Sequence, residues 1–229
     1  MKEMVFDTSN APAYALSEAA HHLKLPLATL RSWVVGRSYP KGSGHALFKP
    51  LIVPSSRKPP MLSFCNLIEA HILRALRTEH GVSLTNLRKA LAFAERDLQI
   101  EHLLLSPQLR TDAGRIFLDQ YGKLIELSAS GQLAMRRMFE EHLKRVEWDQ
   151  AKFPARLFPF LSGSMDSVAR PIVIDPRIAF GRPVLASRGI STQTIAERID
   201  AGETVDELAR DYDLQVPEIE EAVLYERAA

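Results

Sequence analysis

The residues best suited to chemistry lie between positions 29 and 58. Thr29, Arg31, Ser32 and Arg37 fall on or near the exposed face or end of a short predicted helix. Hydroxyls there can hold phosphates, and a guanidinium can reach either a phosphate or the O6/N7 edge of a guanine. Arg57 and Lys58, with Lys49 nearby, sit in a predicted loop. They either add phosphate contacts, which give affinity and salt dependence without sequence choice, or remain solvated loop charges. The first 60 residues hold roughly eight Lys/Arg against three Asp/Glu, and residues 165–229 roughly seven against thirteen. A polyanion suits the front of the chain, and a different partner the back.

Reaction chemistry has no comparable cluster. The seven histidines are scattered, and adjacent His21 and His22 diverge on a helix and make a poor metal pair. No zinc-ligand spacing, Gly-rich phosphate loop, Gly-x-Ser-x-Gly elbow or His-Glu-x-x-His run is present. A non-enzyme without cofactor or metal is expected. Cys65 is the single cysteine, so no intramolecular disulfide can form, and a reducing, cytoplasmic setting fits. The sequence shows neither a signal peptide nor a membrane span.

The elements that must position these residues follow from periodicity. Residues 16–23 read as a helix with Ser17 as a candidate N-cap and Leu16, Ala19, Ala20 and Leu23 on one face. Lys24-Leu25-Pro26 breaks it. A second helix spans 27–35, with Leu27, Leu30 and Val34 inward, and stops at Gly36. Two short helices around a tight turn make a helix-turn-helix. The extended runs 48–53 and 59–64, separated by Ser55–Lys58, predict a two-stranded wing, against which Trp33 packs. Helices are predicted over 63–79, 83–97 and 130–147, the last with Leu133 and Leu143 inward. A hairpin is predicted over 116–127, turning at Tyr121-Gly122, and an edge strand or extended segment over 153–161.

After a linker at 162–167 come two extended runs, 172–174 and 182–187. Three short helices follow over 191–201, 204–212 and 217–226, the first two begun by Ser191 and Thr204. The fold class is mainly α with short β hairpins. A winged helix-turn-helix with a helical middle fills 1–161, and a small trihelical domain fills 168–229. Glu218, Glu220, Glu221 and Glu226 on the last helix oppose its entry into a DNA groove.

Residues 14–33, Tyr-Ala-Leu-Ser-Glu-Ala-Ala-His-His-Leu-Lys-Leu-Pro-Leu-Ala-Thr-Leu-Arg-Ser-Trp, resemble the N-terminal winged helix-turn-helix of MerR-like regulators. Their Ala-Ala pair and Thr-Leu-Arg-x-Trp run carry the likeness; Lys24 stands where many members have glycine. The tail is similar to a small trihelical domain found in many bacterial antitoxins. Gly181-Arg-Pro-Val, Arg188-Gly-Ile, Ala201-Gly, Glu207-Leu-Ala and Ala222-Val-Leu-Tyr225 carry that likeness, with Phe180 and Ser187 replacing the usual glycine and threonine.

Together the two ends resemble a VapB-type antitoxin. The resemblance implies operator binding with autorepression, homodimers, and neutralisation of a PIN-domain ribonuclease toxin. Arg182 and Arg188 are candidates for engaging that toxin's acidic cluster, or for stapling the local Gly-Arg-Pro turn. Two other readings stay open. One is a stand-alone MerR-like regulator whose middle region senses a small molecule; the other is an assembly domain without a DNA role.

Overall fold

Short apolar stripes at helical spacing begin the fold and decide which faces are hidden. The computed structural model describes residues 8–41, 44–77, 84–97, 99, 103–106, 112–124, 129–151, 153–159 and 170–228. Strand β1 (Tyr14–Ala15) leads into α1 (Leu16–His22), whose N-cap is Ala15 rather than Ser17. The Glu18 carboxylate accepts the Ala15 N–H at 3.3 Å and supplies the cap from inside the first turn. Helix α2 spans Leu27–Val34 and buries Leu30, Trp33 and Val34. The turn between them places Lys24 at a left-handed φ of 51°, and Gly36 at φ 84° ends α2.

The wing differs from its predicted place. The hairpin that follows the helix-turn-helix pairs β2 (Arg37–Lys41) with β3 (Gly44–Phe48), Arg37 opposite Phe48. Polar residues on both faces deprive this stretch of the alternation that marks a half-buried strand in sequence. Residues 48–53 do not form the predicted partner strand. The Leu51 and Ile52 N–H groups instead donate to the Trp33 carbonyl at 2.7 and 3.0 Å, strapping the chain to α2. Arg57 and Lys58 do occupy a hairpin, formed by β4 (Ser56–Arg57) and β5 (Pro60–Leu62). With β1 it forms a three-stranded sheet in the order β1-β5-β4.

The middle is helical: α3 (Phe64–Arg77), α4 (Leu84–Asp97), α5 (Asp112–Leu124) and α6 (Ala129–Lys144). Ser63 and Asn66 cap α3 reciprocally, side chain to backbone N–H, at 3.2 Å each. Leu67, Ile68, Ile72 and Leu76 form its fully buried stripe. The predicted hairpin at 116–127 is instead α5 as far as Leu124; residues 125–128 lie outside the described set. Phe117 and Tyr121, one turn apart, stack at 6.1 Å, and Tyr121 donates to the Leu76 carbonyl at 2.9 Å. Gly122 is a point of close approach rather than a turn, because a Cβ there would lie 3.0 Å from Gln132 Cγ. In α6, Met135, Phe139 and Leu143 face the core, whereas Leu133 is half exposed. The predicted helix end at 147 gives way to β6 (Val146–Trp148), paired with β7 (Pro154–Leu157).

The predicted linker at 162–167 lies outside the described residues. Beyond it, β8 (Ile172–Val173) pairs with β9 (Val184–Leu185). Leu157 and Ile174 exchange backbone hydrogen bonds at 2.9 and 2.8 Å, joining this hairpin to the preceding one. Helices α7 (Thr192–Asp200), α8 (Val205–Tyr212) and α9 (Val216–Arg227) then enclose Ile172, Leu185, Ile195, Leu208, Ile219 and Tyr225. Ser191 caps α7, and Thr204 with Glu207 forms a capping box on α8. The molecule is mainly helical with small antiparallel hairpins. No helix among the described residues is long and apolar enough to cross a membrane.

Candidate nucleic-acid interface

Because Leu30, Trp33 and Val34 turn α2 inward, its other face is spare. Arg31 is exposed on that face, flanked by half-buried Thr29 and Ser32. The Ser32 hydroxyl donates to the Thr29 carbonyl at 2.8 Å, so its lone pairs remain available as acceptors. Leu27, expected to point inward, is 46% exposed, and Val35 is similarly open. Pro26 starts the helix just before Leu27 and places that side chain ahead of the buried stripe. Such apolar groups can contact a thymine methyl.

Arg37 opens β2, and its register opposite Phe48 brings Lys49 alongside, one residue past the end of β3. Arg57 and Lys58 lie on the separate β4–β5 hairpin. Arg31, Arg37, Lys49, Arg57 and Lys58 are all exposed, and none of their side chains holds an ion pair among the described residues. Five exposed cations without an ion pair among the described residues, on α2, on two hairpins and just past β3, can contact phosphate oxygens.

The opposite side of α1 is closed. The Tyr14 hydroxyl donates to the Gly181 carbonyl at 2.9 Å, and Arg182 pairs with Glu18 at 2.8 Å. His21 meets Glu226 at 2.9 Å, and the Tyr225 hydroxyl donates to the His22 carbonyl at 3.0 Å. Lys24 donates to the Tyr225 carbonyl, and its ammonium lies 3.9 Å from the centre of that ring. This explains the lysine in the turn: its side chain closes the C-terminal end of α9 against the helix-turn-helix. Burial lowers the Lys24 ammonium to about 8. Burial likewise lowers His22, against the opposing pull of Glu18, while His22 and Arg182 hold Glu18 low despite its own burial. Burial, and then the Glu18 charge, raise the Tyr14 phenol.

No local sequence signal marks this seam, since its partners lie 164 to 205 positions apart. Arg182 is therefore engaged with α1. Arg188 pairs with Asp213 and donates from Nε to the Asp213 carbonyl at 3.3 Å. Glu226 of α9 faces α1 and also accepts from Thr192. Deeper in the C-terminal unit, fully buried Asp175 accepts from Arg156 Nε at 2.9 Å and from three N–H groups of Arg177 at 2.8–2.9 Å. Burial would raise its carboxyl, but these donors prevail and hold it at about 2. Among the described residues no group of three or more His, Cys, Asp or Glu could hold a metal ion.

Two stretches of the chain match known families. Residues 12–91 match a family described as "Putative DNA-binding HTH domain", and residues 172–225 match one described as "Protein of unknown function (DUF433)". The chain is 25% identical to "Putative antitoxin VapB45" of Mycobacterium tuberculosis, over 96% of this chain and 95% of that protein. It is 24% identical to "Uncharacterized protein Rv2308" of the same organism, over 93% and 89%. The crystal structure of Rv2018 from Mycobacterium tuberculosis shares the fold, with a TM-score of 0.66 at 24% identity, over 93% of this chain and 98% of that one.

Proposed function

We propose that this protein is a cytoplasmic antitoxin and autorepressor, which reads its operator with α2 and the adjoining hairpins and neutralises a PIN-domain ribonuclease. The observation that carries the DNA half is the contrast between the two faces of the helix-turn-helix. One is shut by the C-terminal unit, while the other displays Thr29, Arg31 and Ser32, with cations that pair with no carboxylate among the described residues. Arg31 is the group that can read a base edge; Arg37, Lys49, Arg57 and Lys58 are placed to anchor phosphates. Two copies would read paired half-sites about one helical turn apart.

The similarity over nearly the whole chain to a protein named as an antitoxin supports the toxin half. Of the two arginines considered for that contact, Arg188 can change partner more easily, because Asp213 is 88% exposed. Arg182 would have to leave Glu18 and open the seam.

The test titrates the full-length protein against a labelled duplex from upstream of its own gene, at several salt concentrations. Combined Arg31→Ala and Arg37→Ala should weaken binding at least ~10-fold and flatten the salt dependence by about 0.9 per lost phosphate contact. Unchanged affinity in that variant removes the DNA half. Co-expression with the product of the neighbouring gene should relieve that product's toxicity; a neighbour that is no nuclease removes the toxin half.

A further inference from the structure

One turn carries a residue that its backbone does not favour. Ala179, Phe180 and Gly181 follow one another in the left-handed region, at φ 47°, 55° and 77°. At Gly181 the reason is a close approach, since a Cβ would stand 2.3 Å from the Tyr14 hydroxyl. At Ala179 and Phe180 the positive φ belongs to a tight turn, in which the Gly181 N–H donates to the Ile178 carbonyl at 2.9 Å and the Arg182 N–H to the Ala179 carbonyl at 3.0 Å; the turn accounts for the backbone but not for a phenylalanine in it. A bulky side chain is disfavoured at positive φ, and the ring reaches no core, being 90% exposed. A glycine at 180 would relieve the backbone and remove an apolar surface from water. A disfavoured backbone that displays a large ring is a sign of a contact made elsewhere.

The surroundings indicate what kind of contact. Arg177, Arg182 and Arg188 flank the turn with side chains 61, 44 and 50% exposed. Gly189 comes alongside because its Cβ position lies 4.0 Å from Ile178. Buried Asp175 holds Arg177 and sets its orientation before any partner arrives, whereas the exposed Arg188–Asp213 pair leaves Arg188 free to change partner. An exposed aromatic ring on a turn that arginines adjoin in sequence has the composition of an interface hot spot. The acidic balance of the C-terminal residues disfavours a nucleic acid here.

We infer that Phe180 is the anchor by which this protein docks the ribonuclease, its ring entering an apolar pocket on that enzyme whose rim carries carboxylates. The inference rests on the antitoxin reading and extends it from a partner to a surface. The 178–182 turn makes the contact, with Arg177 and Arg188 facing the acidic rim and Arg182 kept on Glu18.

Phe180→Gly tests this without threatening the fold, because glycine suits the observed φ. The purified full-length chain is titrated calorimetrically against the purified ribonuclease encoded by the neighbouring gene. The variant should bind about thirtyfold more weakly, the loss typical of a truncated hot-spot ring. Its melting temperature should be unchanged or raised. Leu224→Ala, at an exposed site on α9, should leave affinity unchanged.

Equal binding by wild type and Phe180→Gly overturns the inference and leaves the antitoxin reading intact. Failure of the wild type to bind overturns both. Unchanged nuclease binding together with loss of self-association in sedimentation assigns the ring to a second copy of this chain and overturns the proposal.

Discussion

At the front of the chain Arg31, Arg37 and Arg57 stand exposed with no ion pair among the described residues, whereas at the back Arg177, Arg182, Arg188 and Arg198 each hold a carboxylate. Both ends are built of short helices around tight turns, so secondary structure does not account for the difference. Partner supply does: few acids accompany the front cations, and many accompany those at the back. An unpaired guanidinium keeps its full set of donors for a phosphate or a base, while a paired one has a fixed direction and fewer donors. The two regions meet at the seam between α1 and α9, where the helix-turn-helix becomes one-sided.

The seam offers the largest perturbation. Gly181→Ala adds a Cβ against the Tyr14 hydroxyl and puts a side chain at φ 77°. Left-handed strain and overpacking together should cost about 2–4 kcal/mol, read by urea unfolding of the full chain. A loss below ~0.5 kcal/mol would mean that the two regions do not rest on each other at this point.

Next comes acid. The Asp175 carboxyl is held at about 2 in the folded protein, against an ordinary value of 3.8. The unfolded chain therefore takes up this proton at a higher pH than the folded one. The stabilisation is complete above about pH 4 and is lost as pH falls toward 2. With the side chain fully buried, it amounts to about 2 kcal/mol. Asp175→Asn should remove this part of the acid sensitivity; a denaturation midpoint with the same pH profile in both proteins would count against it.

A change of similar kind but smaller size separates the roles open to the front cations. Arg31→Lys keeps the charge and loses the planar fork. If Arg31 reads a guanine, Arg31→Lys should cost about 1–2 kcal/mol on the operator and little on unrelated DNA. Equal losses on both duplexes would make Arg31 a phosphate contact.

How much of this was legible in the sequence depends on the range of the interaction. The α1–α2 break at Lys24–Pro26, the stop at Gly36 and the caps Ser191 and Thr204 are local, and the structure places each as read. Tyr121-Gly122 carried a turn signal, but the glycine serves a helix–helix contact with Gln132. The β2–β3 hairpin, with polar and apolar residues mixed on both faces, lacked the period-two pattern by which strands are read. Leu27 looked like core because periodicity counts apolar residues without knowing which way the helix faces. The seam was invisible, since Tyr14 with Gly181 and His22 with Tyr225 are joined only by the folded chain.

The smallest effect is also the plainest check on the comparison. Arg188 and Asp213 form an ion pair at the surface, with side chains 50 and 88% exposed, and the backbone contact of Arg188 meets the carbonyl of the residue that ends α8. Water competes for both charges, so Arg188→Ala should lower stability by no more than ~0.5 kcal/mol. It should leave operator affinity and its salt slope unchanged, because this arginine lies in the acidic C-terminal unit and is held by Asp213. Arg31→Ala, which removes the same charge from the same net total, should weaken the operator complex about tenfold. Should the two substitutions weaken DNA binding equally, net charge would account for the affinity, and the distinction between free and held arginines would fail.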